Sequence, residues 1–338
     1  MATEMAVNFS EPVREFRHEA LLYAGMADFL AGTVPFVRGG LEAGEPVLVV
    51  ESAAKISLLR AELGSDAGSV AFADMSSVGA NPARIIPAWR EFVKQHGAAG
   101  RRSRGIGEPI WNGRTPLELV ECQRHESLLN TAFATGDPWW LLCPYDTEAM
   151  DPAVIDEARR SHPYVTDGNS VHRSNVYRGL AASGAPFDVP LPEPRTEVRE
   201  LLFNAFNLAE LRGLVVRFAS EAGLPPSRAA NYVLAANEVA TNSVIHGGGK
   251  GSLRIWREPG ALSCEVRDAG HIGNPLADRE PPSADTHGSR GLWLANQLCD
   301  LVQIRSVVGG SAVRLHMWLK AAAPLEAANQ HGIDSILT

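Results

Sequence analysis

Glu238 and Asn242 are the residues whose types and spacing most directly suggest chemistry. They lie in the segment 227–246, where apolar residues recur at three- and four-residue steps, a pattern that predicts a helix with one packed face. Residues four apart in a helix project from the same side. An amide oxygen and a carboxylate so placed could serve a hard cation such as Mg²⁺ or accept a proton from a hydroxyl. Taken alone, the pair is more often a solvated one on a surface helix. The recurring apolar residues are Ala229, Ala230, Val233, Leu234, Ala236, Val239, Ala240 and Val244.

Two further motifs follow in the chain. Asp268 stands where a predicted strand ends, and Gly270 comes two residues later. An ionised carboxylate only accepts hydrogen bonds, and a glycine lets another group approach the backbone closely. Further on, glycines lead into a segment of helical period, where backbone N–H groups can meet phosphate oxygens. Each motif alone also fits an ordinary turn or helix start. The residues of this last motif are Gly288, Ser289, Arg290, Gly291 and Leu292.

The pattern around these motifs predicts the elements that would hold them together. Two apolar strands join in a turn at Gly260, and residues of period two surround Gly309 as in a hairpin. The segment 271–287 is rich in Pro, Asp and Ser and lacks an apolar period, which predicts a mobile loop. Within it, Arg279 is expected to be a solvated charge, with a phosphate contact as the alternative. The C-terminal half is therefore predicted to be a largely antiparallel α+β sandwich.

The order and spacing of EVATNSVIHG, RDAG and HGSRGL resemble the ATP-binding site of the GHKL (Bergerat-fold) ATPases, and within them the anti-sigma-factor serine kinases. The resemblance implies an α/β sandwich that binds ATP with Mg²⁺. It implies that Asn242 is a direct Mg²⁺ ligand, and that Glu238 orients a metal-bound water or accepts the proton of an attacking hydroxyl. It also implies that Asp268 accepts a hydrogen bond from the adenine amino group, that Gly270 lies beside the base, and that the loop 271–287 is the ATP lid.

The third motif, from Gly288 to Leu292, would cradle the triphosphate. Here the chain departs from the pattern of the family: Ser289 stands where a second glycine is common, and Arg290 adds a bulky cation. These departures are expected to affect how tightly the phosphates are bound and how fast ATP is turned over, more than whether nucleotide binds.

The resemblance implies a sensor-regulated serine/threonine protein kinase. It would transfer the γ-phosphate of ATP to an antagonist (anti-anti-sigma) protein and so control the availability of a sigma factor. An alternative is a non-catalytic switch that binds a sigma factor or antagonist when ATP is bound; Glu238 favours the kinase, and Ser289 leaves room for the switch. A third interpretation is a sensor histidine kinase, because His125 and Glu126 lie on a predicted helix, but the long two-helix dimerisation region of such kinases is missing. Kinases of this kind are often homodimers, so a dimer is one expected form.

Length and composition predict a soluble protein of two domains. The chain has 338 residues, of which 45% are hydrophobic and 21% charged, and a formal net charge of -8. An acidic chain without a basic, aromatic-rich run makes a nucleic-acid partner unexpected. The N-terminus has neither a positive start nor an apolar core, and no stretch approaches the ~20 apolar residues of a membrane span, so neither a signal peptide nor a membrane segment is expected. The cysteines follow no metal-ligand spacing and no compact disulfide framework, which predicts reduced thiols in the cytoplasm. They are Cys122, Cys143, Cys264 and Cys299.

The N-terminal half alternates apolar runs with helical patterns, as a parallel α/β sheet does. Helices are predicted over 28–41, 54–63, 82–96 and 116–133, and strands near Leu21, Val49, Phe72, Ile106 and Leu142. The motifs HEALLYAG, LEAGEPVLVV, GEPIW, HESLLN, LCPYD and the pair His162-Pro163 resemble the MEDS sensory domain, from residue 18 to about residue 163. The resemblance implies a domain that senses a small molecule of unknown identity.

Sheets of this type usually bind ligands at the carboxyl ends of their strands. This rule predicts Glu108, Cys143, Tyr145 and Asp146 as contacts for the sensed molecule, with His18 at the start of the first strand. The ordinary alternatives are a carboxylate that caps a helix, a buried structural cysteine and a tyrosine packed at the sheet edge. No G-x-x-x-x-G-K-[ST] motif follows the first strand, so no P-loop nucleotide site is expected in this half.

Four prolines between Pro186 and Pro194 predict extended chain between the halves. We therefore expect a sensory domain over 1–185, a linker over 186–196, an ATP-binding domain over 197–322 and a flexible tail over 323–338.

Overall fold

A computed structural model of the protein describes residues 5–6, 15–97, 101–135, 138–168, 170–184, 187–281, 289–307 and 309–319. These residues form two compact units, one up to Gly184 and the other from residue 187 onward. The expected tail over 323–338 lies outside the described residues.

The strands described in the first unit form one eight-stranded sheet in the order β1-β8-β7-β2-β6-β5-β3-β4. The six strands from β7 to β4 in that order are parallel, while β8 runs antiparallel to β7 and β1 antiparallel to β8. The predicted parallel α/β class is therefore confirmed, with an antiparallel edge that the sequence patterns did not indicate. The strands are β1 (Met5–Ala6), β2 (Arg17–Tyr23), β3 (Val47–Glu51), β4 (Ala71–Asp74), β5 (Ser103–Gly107), β6 (Trp139–Asp146), β7 (Tyr164–Thr166) and β8 (Ser170–Arg173).

Helices connect the parallel strands of this unit, as crossovers between parallel strands require. The longest but one begins with a capping box: the Thr115 hydroxyl accepts from the Glu118 amide, and the Glu118 carboxylate accepts from the Thr115 amide, with Pro116 at the first helical position. The helices are α1 (Gly25–Glu42), α2 (Ala53–Leu63), α3 (Met75–Val78), α4 (Ile85–His96), α5 (Pro116–Ala132) and α6 (Pro152–Ser161). The sequence patterns did not mark α6, which positions the residue that follows it, His162.

The second unit is a five-stranded antiparallel sheet, in the order β12-β13-β11-β10-β9, with its helices packed on one face. The predicted turn at Gly260 and the predicted hairpin at Gly309 are both present. The elements are β9 (Val198–Asn204), α7 (Leu208–Glu221), α8 (Pro226–His246), β10 (Lys250–Glu258), β11 (Ala261–Asp268), α9 (Ser289–Leu298), β12 (Leu301–Val307) and β13 (Gly310–Trp318). The expected α+β sandwich is thus confirmed.

Six of the eight predicted apolar residues of α8 lie in the core or pack against it, whereas Ala230 and Leu234 are exposed. Ala235, Ala236, Val239 and Ala240 are buried in the core against the sheet, whereas Leu234 is 44% exposed. The apolar residues of this helix are spread over more than one side, because part of α8 also contacts α7. Periodicity therefore found the helix but assigned Leu234 to the wrong side.

Part of the predicted linker is bound to the second unit. The Pro192 carbonyl accepts a hydrogen bond of 2.8 Å from Arg314, and the Glu193 carboxylate pairs with Arg254 and Arg267 at 2.6 and 2.8 Å. The residues on either side of these contacts therefore do not have the freedom of a solvated chain.

Candidate functional site

The ends of α8 and β11 in the second unit surround a cavity of about 310 Å³. Asn242 and Asp268 both line it, and its apolar walls include Val239, Ile272 and Val313. A cavity with apolar sides and a few convergent polar groups has the character of a small-molecule site. The structure thus brings together residues from all three motifs, since Leu292 of the third motif also lines the cavity, and Asn242 and Asp268 lie 26 positions apart in the chain.

Asp268 is held by three hydrogen bonds at the floor of this cavity. Its Oδ1 accepts from the Gly270 amide and from the Ser311 hydroxyl, each at 2.8 Å, and its Oδ2 accepts from the Ser243 hydroxyl at 2.6 Å. All three groups donate to Asp268, and a carboxylate can only accept hydrogen bonds. Ser243 and Ser311 were missed in the sequence, although Ser243 lies inside the first motif, because a hydroxyl that orients a carboxylate has no spacing of its own.

Gly247 and Gly270 let the backbone close around Asp268. A Cβ on Gly270 would lie 2.9 Å from the Gly247 Cα, which is closer than side chains approach in folded proteins, and a Cβ on Gly247 would overlap the Asp268 carboxylate. The sequence patterns do not single out Gly247. The requirement for glycine there follows from close packing, which the sequence does not express.

Asn242 and Glu238, the pair of the first motif, lie differently toward the cavity. Its Nδ2 atom is buried and has no hydrogen-bond partner among the described residues. Glu238 lies one turn earlier on α8 and is half-buried, and the described wall of the cavity runs through Val239 and Asn242 rather than through Glu238. The pair therefore shares one side of the helix, with the amide nearer the cavity.

The phosphate-cradle motif is described in part. Gly288 lies outside the described residues, and so does the side chain of Ser289, whose backbone begins α9. Arg290 is exposed, whereas Gly291 and Leu292 are buried, and Leu292 lines the cavity. The start of α9 therefore faces the same cavity as α8, as an anion-binding helix start would.

The first part of the expected lid is anchored, and Arg279 is not the solvated charge that the sequence suggested. Arg279 is 1% exposed and lies beside Asp278, at 3.8 Å. Asn296 on α9 donates to both the carbonyl and the carboxylate of Asp278, each at 3.1 Å. The apolar residue Leu276 is buried in the same turn. The rest of the lid segment, over 282–287, lies outside the described residues.

In the first unit, Glu108 lies where strands β2, β3 and β5 end. Tyr23 donates to its Oε1 at 3.0 Å, and Lys55 on α2 forms an ion pair with its Oε2. Glu51, the last residue of β3, is buried beside it. Burial, and then the charge of Glu108, raises the pKa of Glu51 well above its ordinary value; burial also raises the pKa of Glu108, although Lys55 opposes this. This end of the sheet is therefore a buried group of two carboxyls and one ammonium.

Asp146 and Tyr145, two of the other predicted contacts, make different interactions from those of Glu108. Asp146 accepts hydrogen bonds from the amides of Glu148 and Ala149 at 3.0 and 3.3 Å, so it caps the turn after β6. Tyr145 is 1% exposed and its ring meets that of His162 edge-on, with centroids 5.6 Å apart. Asp146 therefore caps a turn rather than a helix, and Tyr145 packs against His162 from a central strand rather than at the sheet edge.

His18 and Cys143 belong to a second buried group, which also contains Glu126 and His162. His18 pairs with Leu141 across β2 and β6, two residues before Cys143, so both side chains project from the same face of the sheet. Burial, and then the neighbouring His162, lowers the pKa of His18 to about 4, which leaves the imidazole neutral near pH 7. Burial, and then Glu126, raises the pKa of the Cys143 thiol well above its ordinary value. The sequence patterns marked two of these four residues as ligand candidates and did not connect them.

His125, the residue on which a histidine-kinase interpretation depends, is 1% exposed on α5. A phosphoacceptor must present its imidazole to a nucleotide on another domain, and a buried side chain does not. The four cysteines are free and buried. Over the described part of the chain, no helix has the length and apolar character needed to span a membrane.

Two family profiles match the chain. The MEDS profile, described as the methanogen/methylotroph DcmR sensory domain, matches residues 17–163, and the histidine kinase-like ATPase domain profile matches residues 202–317. Among curated proteins, no sequence matches the chain significantly. A solved structure of the RsbU and RsbW domains of Rv1364c from Mycobacterium tuberculosis is 20% identical, with a TM-score of 0.29. That match covers 36% of this chain and 32% of the solved one, so it spans about a third of the length of that protein.

Proposed function

Because the chain joins a MEDS sensory domain to a histidine kinase-like ATPase domain, we propose that it is a sensor-regulated protein kinase of the anti-sigma-factor type. In this proposal the second unit binds Mg-ATP and transfers the γ-phosphate to a serine or threonine of a protein antagonist. The phosphorylation state of that antagonist then controls how much sigma factor is available.

One observation carries this proposal: the Asp268 carboxylate, held by three donors, lines an apolar cavity that Asn242 also lines. The adenine amino group is a donor, and a carboxylate whose other lone pairs are occupied by three donors offers it an acceptor of fixed direction. The walls formed by Val239, Ile272 and Val313 suit the faces of a purine ring. The start of α9 would then lie toward the phosphates.

The amide of Asn242 fits a metal-nucleotide complex. Its Nδ2 is a buried donor that lacks a partner among the described residues, and a phosphate oxygen would supply one, while the amide oxygen remains for a hard cation. Mg²⁺ bound there would neutralise charge on the phosphate oxygens. Glu238, one turn away, would accept the proton of the attacking hydroxyl while that oxygen forms its bond to the γ-phosphorus and ADP leaves.

A non-catalytic switch is the second candidate, and the start of α9 favours it. Ser289 stands at the start of α9 where a second glycine is common in the family. Phe206 is 97% exposed and Ile245 is 65% exposed, and large apolar side chains of this kind are typical of surfaces that dock another protein. In this version the nucleotide controls binding of a sigma factor or antagonist without phosphoryl transfer. A homodimer is compatible with either candidate.

The two candidates can be separated with the full chain and a partner captured on it from a cell lysate. The captured protein is incubated with Mg-ATP labelled in the γ-phosphate, and the label is tested for acid stability, because phosphoserine and phosphothreonine survive acid and phosphohistidine does not. We expect acid-stable label on the partner. In Glu238→Gln, the rate of phosphoryl transfer should fall by about 10²- to 10⁴-fold while nucleotide still binds. Glu210→Gln, an exposed carboxylate on α7, is the matched control and should transfer normally.

The outcomes separate the candidates clearly. Nucleotide-dependent capture of the partner with no label on it would establish the switch. Acid-labile label would establish a histidine kinase instead. Equal Mg-ATP affinity in wild type, Asn242→Ala and the control Asn237→Ala would contradict the assignment of the nucleotide site itself, since Asn237 faces Arg212 on α7 rather than the cavity.

A further inference from the structure

We propose that His18, Glu126, Cys143 and His162 of the first unit form a binding site for one divalent transition-metal ion, with Zn²⁺ as the expected occupant. The inference is independent of the nucleotide chemistry proposed for the second unit, because it rests on the geometry of these four side chains alone.

The four residues come from four separate elements that meet at one point. His18 is on β2, Glu126 on α5, Cys143 on β6, and His162 directly follows α6. Their ligand atoms all lie within 4.8 Å of one another. His18 Nε2 is 3.2 Å from Glu126 Oε2 and 3.4 Å from Cys143 Sγ, and His162 Nε2 is 3.3 Å from the same Glu126 oxygen. All four side chains are at most 1% exposed.

The three separations of 3.2–3.4 Å are close to the edges of a coordination tetrahedron, and the other ligand atoms lie within 4.8 Å of one another. With metal–ligand bonds of about 2.0–2.3 Å, neighbouring ligand atoms of a tetrahedral site stand about 3.3–3.8 Å apart. Only small movements of the side chains would therefore be needed to place one ion between them.

In both imidazoles, a hydrogen-bond acceptor at Nδ1 orients the ring, as in metal-binding histidines. The Nδ1 of His162 lies 2.8 Å from the Ala158 carbonyl oxygen, which can only accept, so Nδ1 carries the proton. The Nδ1 of His18 lies 3.2 Å from Asn130 Oδ1. Asn130 donates its Nδ2 to the Ser161 carbonyl at 2.7 Å, which fixes the amide so that its oxygen faces His18. In each neutral imidazole, the Nε2 lone pair is consequently directed at the centre of the group.

Without a cation, this group has more hydrogen-bond acceptors than donors. Two lone pairs from Nε2 atoms and an acceptor-only carboxylate converge on one buried point, where the Cys143 thiol is the one donor among the four side chains. The acceptors that remain face one another and repel. Glu126 Oε1 and His162 Nε2 have no hydrogen-bond partner within the described residues, which is costly for buried polar atoms. A divalent ion would replace repulsion by four bonds. A thiolate and a carboxylate would also balance its two positive charges, so that the buried site as a whole would be neutral.

The donor set selects the class of metal. Two imidazole nitrogens, one sulfur and one carboxylate oxygen suit Zn²⁺ and the neighbouring divalent first-row ions, whereas Mg²⁺ and Ca²⁺ prefer oxygen ligands throughout. Four protein ligands in a buried position are typical of a closed zinc site rather than of one with an open position for substrate. The opposing interpretation is a metal-free network in which a proton on one imidazole pairs with Glu126, and it is the alternative that the experiment must exclude.

The experiment uses the full chain, purified in reducing, chelator-free buffer without an affinity tag that binds metals. Elemental analysis should find one zinc per chain. X-ray absorption at the zinc edge of this wild-type protein should show one sulfur and three nitrogen or oxygen neighbours, a result that does not depend on any variant folding. After removal of zinc, Co²⁺ should bind with a thiolate-to-cobalt charge-transfer band.

Two cysteine variants complete the test. Cys143→Ser should lose the charge-transfer band and weaken Co²⁺ binding by at least about 10-fold. Cys122→Ser is the matched control, because Cys122 is also fully buried in the first unit but donates to the Pro109 carbonyl, outside the group. Wild-type protein that neither contains nor takes up a transition metal would overturn the proposal in favour of the proton network. So would a metal without a sulfur neighbour, or equal loss of the band in both variants.

Discussion

Gly291 lies directly against Asn242: a Cβ built on the glycine would be 2.6 Å from the Asn242 Nδ2 atom. Gly291 is in the first turn of α9 and Asn242 is in the last two turns of α8. The glycine of the third motif therefore has a packing role. Its missing side chain is the space in which the amide of the first motif sits, so the two motifs are parts of one surface.

Gly291→Ala separates nucleotide binding from folding. Alanine should not destabilise α9, since it favours helix by up to about 1 kcal/mol over glycine, but its methyl group must push the Asn242 amide away. We expect lower Mg-ATP affinity by calorimetry and an unchanged or higher melting temperature. Gly213→Ala on α7 is the control, because its Cβ would meet nothing closer than an Arg217 nitrogen at 3.8 Å. Wild-type affinity in Gly291→Ala would show that Asn242 is not part of the nucleotide site.

Asp268→Asn tests recognition of the base. In the wild type, the carboxylate should prefer ATP to inosine triphosphate, which carries an oxygen in place of the amino group. A hydrogen bond to a charged group contributes about 1.5–3 kcal/mol, so the preference should be about 10- to 150-fold. The variant should lose most of this preference while Ser243 and Ser311 keep the side chain in place. Competition binding with both nucleotides measures it, and equal affinities in the wild type would place the adenine elsewhere.

The order of elements in the second unit followed from the sequence because each motif sits at the end of an element with a clear period. The helix before His246, the hairpin at Gly309 and the helix after Ser289 are all recognisable from local patterns. Which side chains are buried was harder to predict from the sequence. Leu234 has the spacing of a core residue and is exposed, and Arg279 has the surroundings of a loop charge and is buried. Both depend on which neighbour covers them, which no local pattern encodes.

The buried group of the first unit shows the same limit more strongly. Its four residues are up to 144 positions apart, from His18 to His162, so metal-ligand spacing rules for near neighbours could not connect them. A weaker signal was available: each lies within one of the short segments HEALLYAG, HESLLN, LCPYD or the His162-Pro163 pair. A parallel sheet brings such distant segments together, because each crossover returns the chain to the same layer.

Glu51→Gln should stabilise the protein at neutral pH. Burial, and then the charge of Glu108, raises the folded-state pKa of Glu51, so above its ordinary pKa of about 4.5 the unfolded chain releases a proton that the folded chain keeps. Stability is then lost as pH rises, by at most about 1.4 kcal/mol per pH unit for one proton. Glutamine mimics the protonated carboxyl and does not titrate.

Calorimetry of the full chain should therefore show a melting temperature for Glu51→Gln that exceeds that of the wild type at pH 7.5, with a difference that shrinks toward pH 4.5. Glu62→Gln, an exposed carboxylate near the end of α2, should show no such trend. A difference that stays constant over this pH range would mean that Glu51 is ionised in the folded protein.

Removal of residues 1–186 should change the activity of the nucleotide site. A sensory domain can regulate that site only if its ligand binds two states of the whole molecule with different affinity, and a coupling free energy of about 1–3 kcal/mol corresponds to a change of about 5- to 150-fold. The fragment from residue 187 onward keeps the core of the second unit and the pairs of Glu193 with Arg254 and Arg267. It should therefore still fold and bind nucleotide, and a shift in its affinity or transfer rate would reflect lost regulation rather than lost structure.

The comparison is made with the full chain, with and without a small-molecule cell extract as a source of the sensed ligand. If fragment and full chain agreed in nucleotide affinity, partner affinity and transfer rate under both conditions, the MEDS domain would not regulate this site.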